Sequence, residues 1–152
     1  MYSGILGGFP HSKLFLNVRE KASLAYYAHS RLERHKGIML IAAGIEGSNY
    51  EKARQIIEHQ VEEMASGKIS DIELENTRLG LINQLRAGED SPYQFINWHL
   101  DGEVGGKQYT TAEMIRGIQE IGPEEIRAVA AKVRLDTAYL LQGEEEVMPH
   151  GR

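Results

Sequence analysis

Apolar positions in this chain follow two different periods, and the switches between them mark its elements. Between residues 12 and 21, Leu14, Phe15 and Val18 recur at helical spacing and predict a short amphipathic helix. Residues 24–29 are rich in tyrosine, bounded by charge, and predict a strand. Residues 38–43, opened by Gly37, are apolar without interruption, which predicts a second strand in a buried, central position. Between the two strands lies a polar connection, residues 32–36, short enough for an antiparallel hairpin.

Downstream the pattern turns helical, and polar residues announce each start. In a capping box, a hydroxyl and a carboxylate three residues apart satisfy backbone N–H groups left free in the first turn. Ser48 with Glu51 predicts one such start, followed by an apolar stripe of Ala53, Ile56, Ile57, Val61 and Met64. Ser70 with Glu73 predicts a second, and Thr110 with Glu113 a third. Ser91-Pro92 and Gly122-Pro123 place proline in the first helical turn, where its missing N–H costs nothing. Residues 137–141 predict a closing strand before Gly143. The order is helix-β-β-helices-β, which is an α+β arrangement with an antiparallel or mixed sheet carrying helices.

Composition narrows the function without choosing it. The chain has 152 residues, enough for one domain with a sizeable core, expected over residues 1–143 with a charged tail at 144–152. Net charge is −5 with acids and bases interleaved, which disfavours nucleic acid or an anionic membrane as partner. There is no cysteine, so disulfide and thiolate chemistry are excluded, and a reducing, cytoplasmic setting is the expectation. No apolar run reaches the 18 residues of a membrane span.

Candidate chemistry gathers in one stretch, Leu14-Phe15-Leu16-Asn17-Val18-Arg19-Glu20-Lys21-Ala22-Ser23-Leu24-Ala25-Tyr26-Tyr27. Arg19 falls near the end of the predicted helix and Tyr26 early in the following strand. Such a corner can carry both side chains to one rim of the sheet, where two donors could hold a peptide carbonyl or an oxyanion. The plainer alternative has Arg19 capping helix carbonyls or pairing with a surface acid, and Tyr26 an ordinary strand residue.

The pattern Leu-Phe-x-x-Val-Arg-Glu-Lys-x-x-Leu-Ala-Tyr resembles the corresponding corner of pitrilysin/insulinase-type zinc metallopeptidases, which include insulin-degrading enzyme and mitochondrial processing peptidase. Leu6-Gly7-Gly8-Phe9-Pro10-His11-Ser12-Lys13-Leu14-Phe15 is similar to the family's glycine-rich approach to this helix, and the later elements follow the family order. The likeness spans about residues 4 to 143 and is specific between Leu6 and Tyr26.

What the resemblance implies is a carboxy-terminal half-domain, of a bacterial member, whose first strand and most of a helix lie before Met1. Arg19 and Tyr26 then match the family's arginine and tyrosine, which reach across a clamshell cavity towards substrate at the zinc of the other half. Tyr27 is not the match, and strand alternation turns it to the opposite face. The implied partners are a peptide or unfolded polypeptide and a zinc-bearing half-domain or subunit, with a dimer among the assemblies allowed. The alternative is a non-catalytic partner or scaffold subunit of such a peptidase. In either case the resemblance leaves no activity to the chain alone.

The family's zinc motif, His-x-x-Glu-His with a distal Glu, is not reproduced. Its nearest string is His59-Gln60-Val61-Glu62-Glu63, in which Glu63 stands where a second imidazole is needed. His59 therefore reads as solvated surface, no metal site is expected in this chain, and zinc belongs to the other half. Gly7-Gly8 lacks the lysine and hydroxyl of a phosphate loop. His29 and His35 lack a third ligand, Trp98 and His99 read as core and rim of a helix, and Glu144, Glu145 and Glu146 as solvated tail.

Overall fold

A computed structural model describes residues 1–143, so the tail expected at 144–152 lies outside the described residues. The fold is α+β, as the apolar periods require. Strands β1 (Ala25–Glu33) and β2 (Ile38–Ile45) form a two-stranded antiparallel sheet. Five helices follow: α1 (Tyr50–Ala65), α2 (Asp71–Glu89), α3 (Pro92–Gly105), α4 (Thr111–Glu120) and α5 (Pro123–Ala130). Two wide helical turns of the i→i+5 type, Gly4–Gly8 and Phe15–Lys21, precede the sheet.

The core sits between the inner face of the sheet, these two turns, and helices α1, α2 and α5. Ile5, Leu6, Leu14, Val18, Met64 and Ile126 are sealed from solvent there, with Ala28 of β1 beneath them. Register pairs Ala28 with Ala43, Ser30 with Ile41 and Leu32 with Met39, and Met39, Ile41 and Ala43 pack against the core. The other face carries Tyr27 opposite Gly44, His29 opposite Ala42 and Arg31 opposite Leu40.

Burial of the glycine-rich amino-terminal segment was not legible in the sequence, and its cause is close backbone approach. A Cβ on Gly7 would stand 2.4 Å from the Ser30 backbone N and 2.9 Å from the His29 carbonyl carbon. Only glycine lets the Gly4–Gly8 turn lie against β1 this closely. The buried Ser30 hydroxyl is satisfied across the same contact, donating to the Ser3 carbonyl at 2.8 Å.

Several expectations need correction. Residues 137–141 join no strand: among the described residues β1 and β2 pair only with each other, and Tyr139 and Leu141 stand exposed. β2 is not central or buried on both faces, because only one side of the sheet is covered; Ile38 and Leu40 are about half exposed. The Ser48/Glu51 capping box does not form. Residues Gly47–Asn49 wind into a 3-10 turn, in which the Asn49 N–H donates to the Glu46 carbonyl at 2.9 Å, and this moves the start of α1 to Tyr50. The hairpin connection is tighter than residues 32–36, since β1 runs through Glu33 and Arg34–Lys36 form a single 3-10 turn closed by left-handed Gly37. Trp98 is only half-buried rather than core, for α3 buries none of its residues fully.

The boxes at Ser70/Glu73 and Thr110/Glu113 form as predicted, and the Ser91 hydroxyl caps α3. Glu125, rather than a hydroxyl, satisfies the free Gly122 N–H at 2.9 Å ahead of α5. Among the described residues, no helix is long and apolar enough to cross a membrane.

Candidate functional site

The site is built at the corner where the Phe15–Lys21 turn runs into β1. Val18 faces the core at full burial, which fixes the rotation of that turn and directs its neighbours outward. Arg19 follows in the last turn, where a cation also suits the carbonyl end of a helix. Its guanidinium lies over the Phe15 ring, 4.5 Å from the centroid. Glu20 is 3.8 Å away, with both side chains about half exposed, an ion pair too loose and too wet to hold the guanidinium. Among the described residues, Arg19 donates no hydrogen bond to a helix carbonyl, so the capping alternative finds no support.

Beside Arg19 opens a groove of about 270 Å³. Gly7, Gly8, Phe9 and Pro10 form one side, Phe15 and Arg19 a second, and Tyr27, Ala28 and His29 of β1 the third. Each wall follows from the fold: the Gly7 approach sets the first, the Val18 anchor the second, and strand alternation the third. Phe9 is held in place by stacking on His11, with ring centroids 5.2 Å apart, and by packing over Gly80 of α2.

Tyr26 occupies a different position. Ala25 pairs with Ile45 and Tyr27 with Gly44, so β1 spends two residues where β2 spends one. Tyr26 is the extra residue of a bulge, 87% exposed, with its phenol clear of the core. The bulge interrupts strict alternation at Tyr26. Tyr27, not Tyr26, lines the groove with Arg19; its ring lies across Gly44 and tilts against His29 at 5.7 Å. The structure thus brings Arg19 and Tyr27 into one wall system and sets Tyr26 at the adjoining bulge. Sequence reasoning missed Phe9, Phe15, Tyr27 and His29 as groove residues; the aromatic spacing of β1 was the available signal.

The corner is tied to the rest of the molecule by polar contacts that sequence alone did not reveal. Asn17 donates to the Lys13 carbonyl at 2.9 Å and to Gln60 Oε1 of α1 at 2.8 Å. Lys13, almost fully buried, meets Glu73 Oε1 at 3.0 Å. Glu73 also accepts from the Ser70 backbone N–H at 2.8 Å. Burial alone would push the Glu73 carboxyl up; the Ser70 N–H and hydroxyl and the Lys13 ammonium outweigh it and hold it below the usual carboxylate range. Tyr2, buried beneath the same corner, has its phenol pushed up to about 12 by desolvation.

Nothing at this corner resembles a metal centre. His59 Nε2 lies 3.6 Å from Glu63 on an exposed turn of α1, one imidazole beside carboxylates. Among the described residues no group of three or more His, Cys, Asp or Glu is placed to hold a metal ion.

Comparison with known proteins gives a consistent picture. The sequence profile of the family described as "Peptidase M16 inactive domain" matches residues 1–81. The chain is 37% identical over 145 residues to the probable inactive metalloprotease YmfF of Bacillus subtilis, which covers 95% of this chain and 34% of that protein. A conserved protein from Enterococcus faecalis superposes with a TM-score of 0.79 at 38% identity, covering 85% of this chain and 31% of the other. A protease from Helicobacter pylori superposes at 0.74 with 18% identity over 85% of this chain and 32% of its own, a likeness of fold alone. The chain therefore spans about a third of the length of these relatives.

Proposed function

The chain belongs to the peptidase M16 family, with residues 1–81 matching its inactive domain, and on that premise we propose that it is the peptide-holding half of a zinc-peptidase clamshell. It pairs with a zinc-bearing domain, and that domain carries out hydrolysis. In this reading Arg19 and Tyr26 supply two donors to the carbonyl of a peptide drawn across the groove.

The observation that carries the reading is that neither donor is spent on the fold. The Arg19 guanidinium lies over Phe15 with only the loose Glu20 contact at 3.8 Å beside it, and the Tyr26 phenol, on the bulge, is exposed.

A second reading is favoured by the 37% likeness to a probable inactive metalloprotease. The full-length protein would then be a non-catalytic partner or scaffold subunit that holds peptide without cleaving it. Zinc stoichiometry and peptide turnover of the full-length protein separate the two.

Arg19→Ala in the full-length protein tests what they share. A lost donor to the scissile carbonyl lowers turnover on the order of 10²-fold, or weakens peptide affinity where there is no turnover, with the melting temperature unchanged. Unaltered kinetics and affinity would remove Arg19 from the mechanism.

A further inference from the structure

We infer that α3 is a dimer seam: its outward stripe of Tyr93, Ile96, Leu100 and Val104 packs antiparallel on the same stripe of a second copy of the protein. The four residues follow one another at helical three- and four-residue spacing and so share one side of the helix, the period of a seam between two helices. Gln94 and Trp98 turn the opposite side of α3 towards Gly88 of α2, so the stripe points away from the body of the fold. α4 also buries none of its residues fully, yet it exposes no large apolar side chain, whereas α3 exposes all four.

Area decides whether such a face can hold a partner. Exposures of 58–75% on four large side chains amount to roughly 500 Å² of apolar surface, the upper end of what a monomer carries. Two such faces in contact bury on the order of 1,000 Å², enough for a specific interface.

Charge decides the orientation. The acids of α3 are Asp101 and Glu103, near its end; Glu89 and Asp90 precede the helix and Lys107 follows it. Asp101 is taken up by His35 of the hairpin turn at 3.2 Å. Parallel pairing would set each remaining charge against its own kind. Antiparallel pairing sets Lys107 of one copy beside Glu89 and Asp90 of the other, and brings Glu103 to the amino-terminal end of the facing helix, where an acid is favoured.

Position leaves the seam independent of the peptide-holding reading. Arg19 lies at the start of β1, while His35 ties α3 to the far end of that nine-residue strand, about 30 Å away. A second copy on α3 therefore leaves the Arg19 groove open to another domain.

Sedimentation of the full-length protein at micromolar concentration tests the seam, and a dimer is expected. Leu100→Glu and Ile96→Lys, both at exposed positions, should each weaken dimerisation at least about 100-fold with the far-UV circular dichroism unchanged, because each buries an unpaired charge. Mixing the two variants should restore a dimer, since antiparallel pairing puts the introduced carboxylate against the introduced ammonium. A full-length monomer, in which the rest of the chain covers α3, would overturn the inference. So would a dimer that survives Leu100→Glu, or a mixture that stays monomeric.

Discussion

Glu73 holds two positions at once, and this makes it the most consequential carboxylate near the site. It closes the first turn of α2 and neutralises the nearly buried Lys13. Its folded pKa is depressed, so its stabilisation is full at neutral pH and is lost as pH falls below the ordinary carboxylate value and through the lowered one. Glu73→Ala should cost about 2–3 kcal/mol at pH 7, since it strands a buried ammonium and removes a cap. The deficit should shrink on acidification, as read by urea denaturation across pH. A deficit independent of pH would show that the ion pair contributes nothing. Gly7→Ala should destabilise by about 3 kcal/mol or more, because the added methyl collides with the backbone of Ser30 rather than with a movable side chain. Neither contact is written in local sequence. The position of Arg19 at the end of its helical turn is set locally, whereas the bulge at Tyr26 depends on how β1 registers with β2.

Elements whose ends are fixed by adjacent residues were read correctly, and those that depend on distant partners were not. The hydroxyl-carboxylate spacing of Ser70/Glu73 and Thr110/Glu113 is a local instruction, and the chain obeys it. Ser48 and Glu51 carry the same instruction, yet the 3-10 turn of Gly47–Asn49 overrides it. Residues 137–141 have the composition of a strand but no pairing edge among the described residues, and composition cannot supply one. α4 shows what a cap does where burial is thin. It is ten residues long, with none fully buried, and the Glu113 carboxyl is held low by the Thr110 N–H and hydroxyl, and by Arg116. Thr110→Ala should therefore loosen α4 itself by about 1 kcal/mol, roughly a fivefold loss of amide-exchange protection over its first turns. Unchanged protection there would mean that packing against α2 alone orders the helix.

At the scale of the molecule, a fold with a sealed core presents outward a groove, the half-exposed Arg19 guanidinium and the exposed Tyr26 phenol. His59 is the one imidazole on α1, and among the described residues no group of three or more metal-ligating side chains gathers, so the 152-residue chain should retain no stoichiometric zinc after dialysis, by metal analysis. Tightly bound zinc at one equivalent would contradict the reading of His59. The family assignment and the α+β class were both accessible from sequence, the first through the stretch between Leu6 and Tyr26 and the second through the apolar periods. The groove was not, because three successive segments between residues 7 and 29 build it only when the chain folds back and Gly7 approaches β1.

The central claim is that Arg19 and Tyr26 act together on one carbonyl. A double-mutant cycle of Arg19→Ala and Tyr26→Phe, reading peptide affinity in the full-length protein, tests it most directly. Two donors sharing an acceptor predict that each single change weakens binding and that the double change costs clearly less than their sum. Strict additivity, or a silent Tyr26→Phe, would contradict the account.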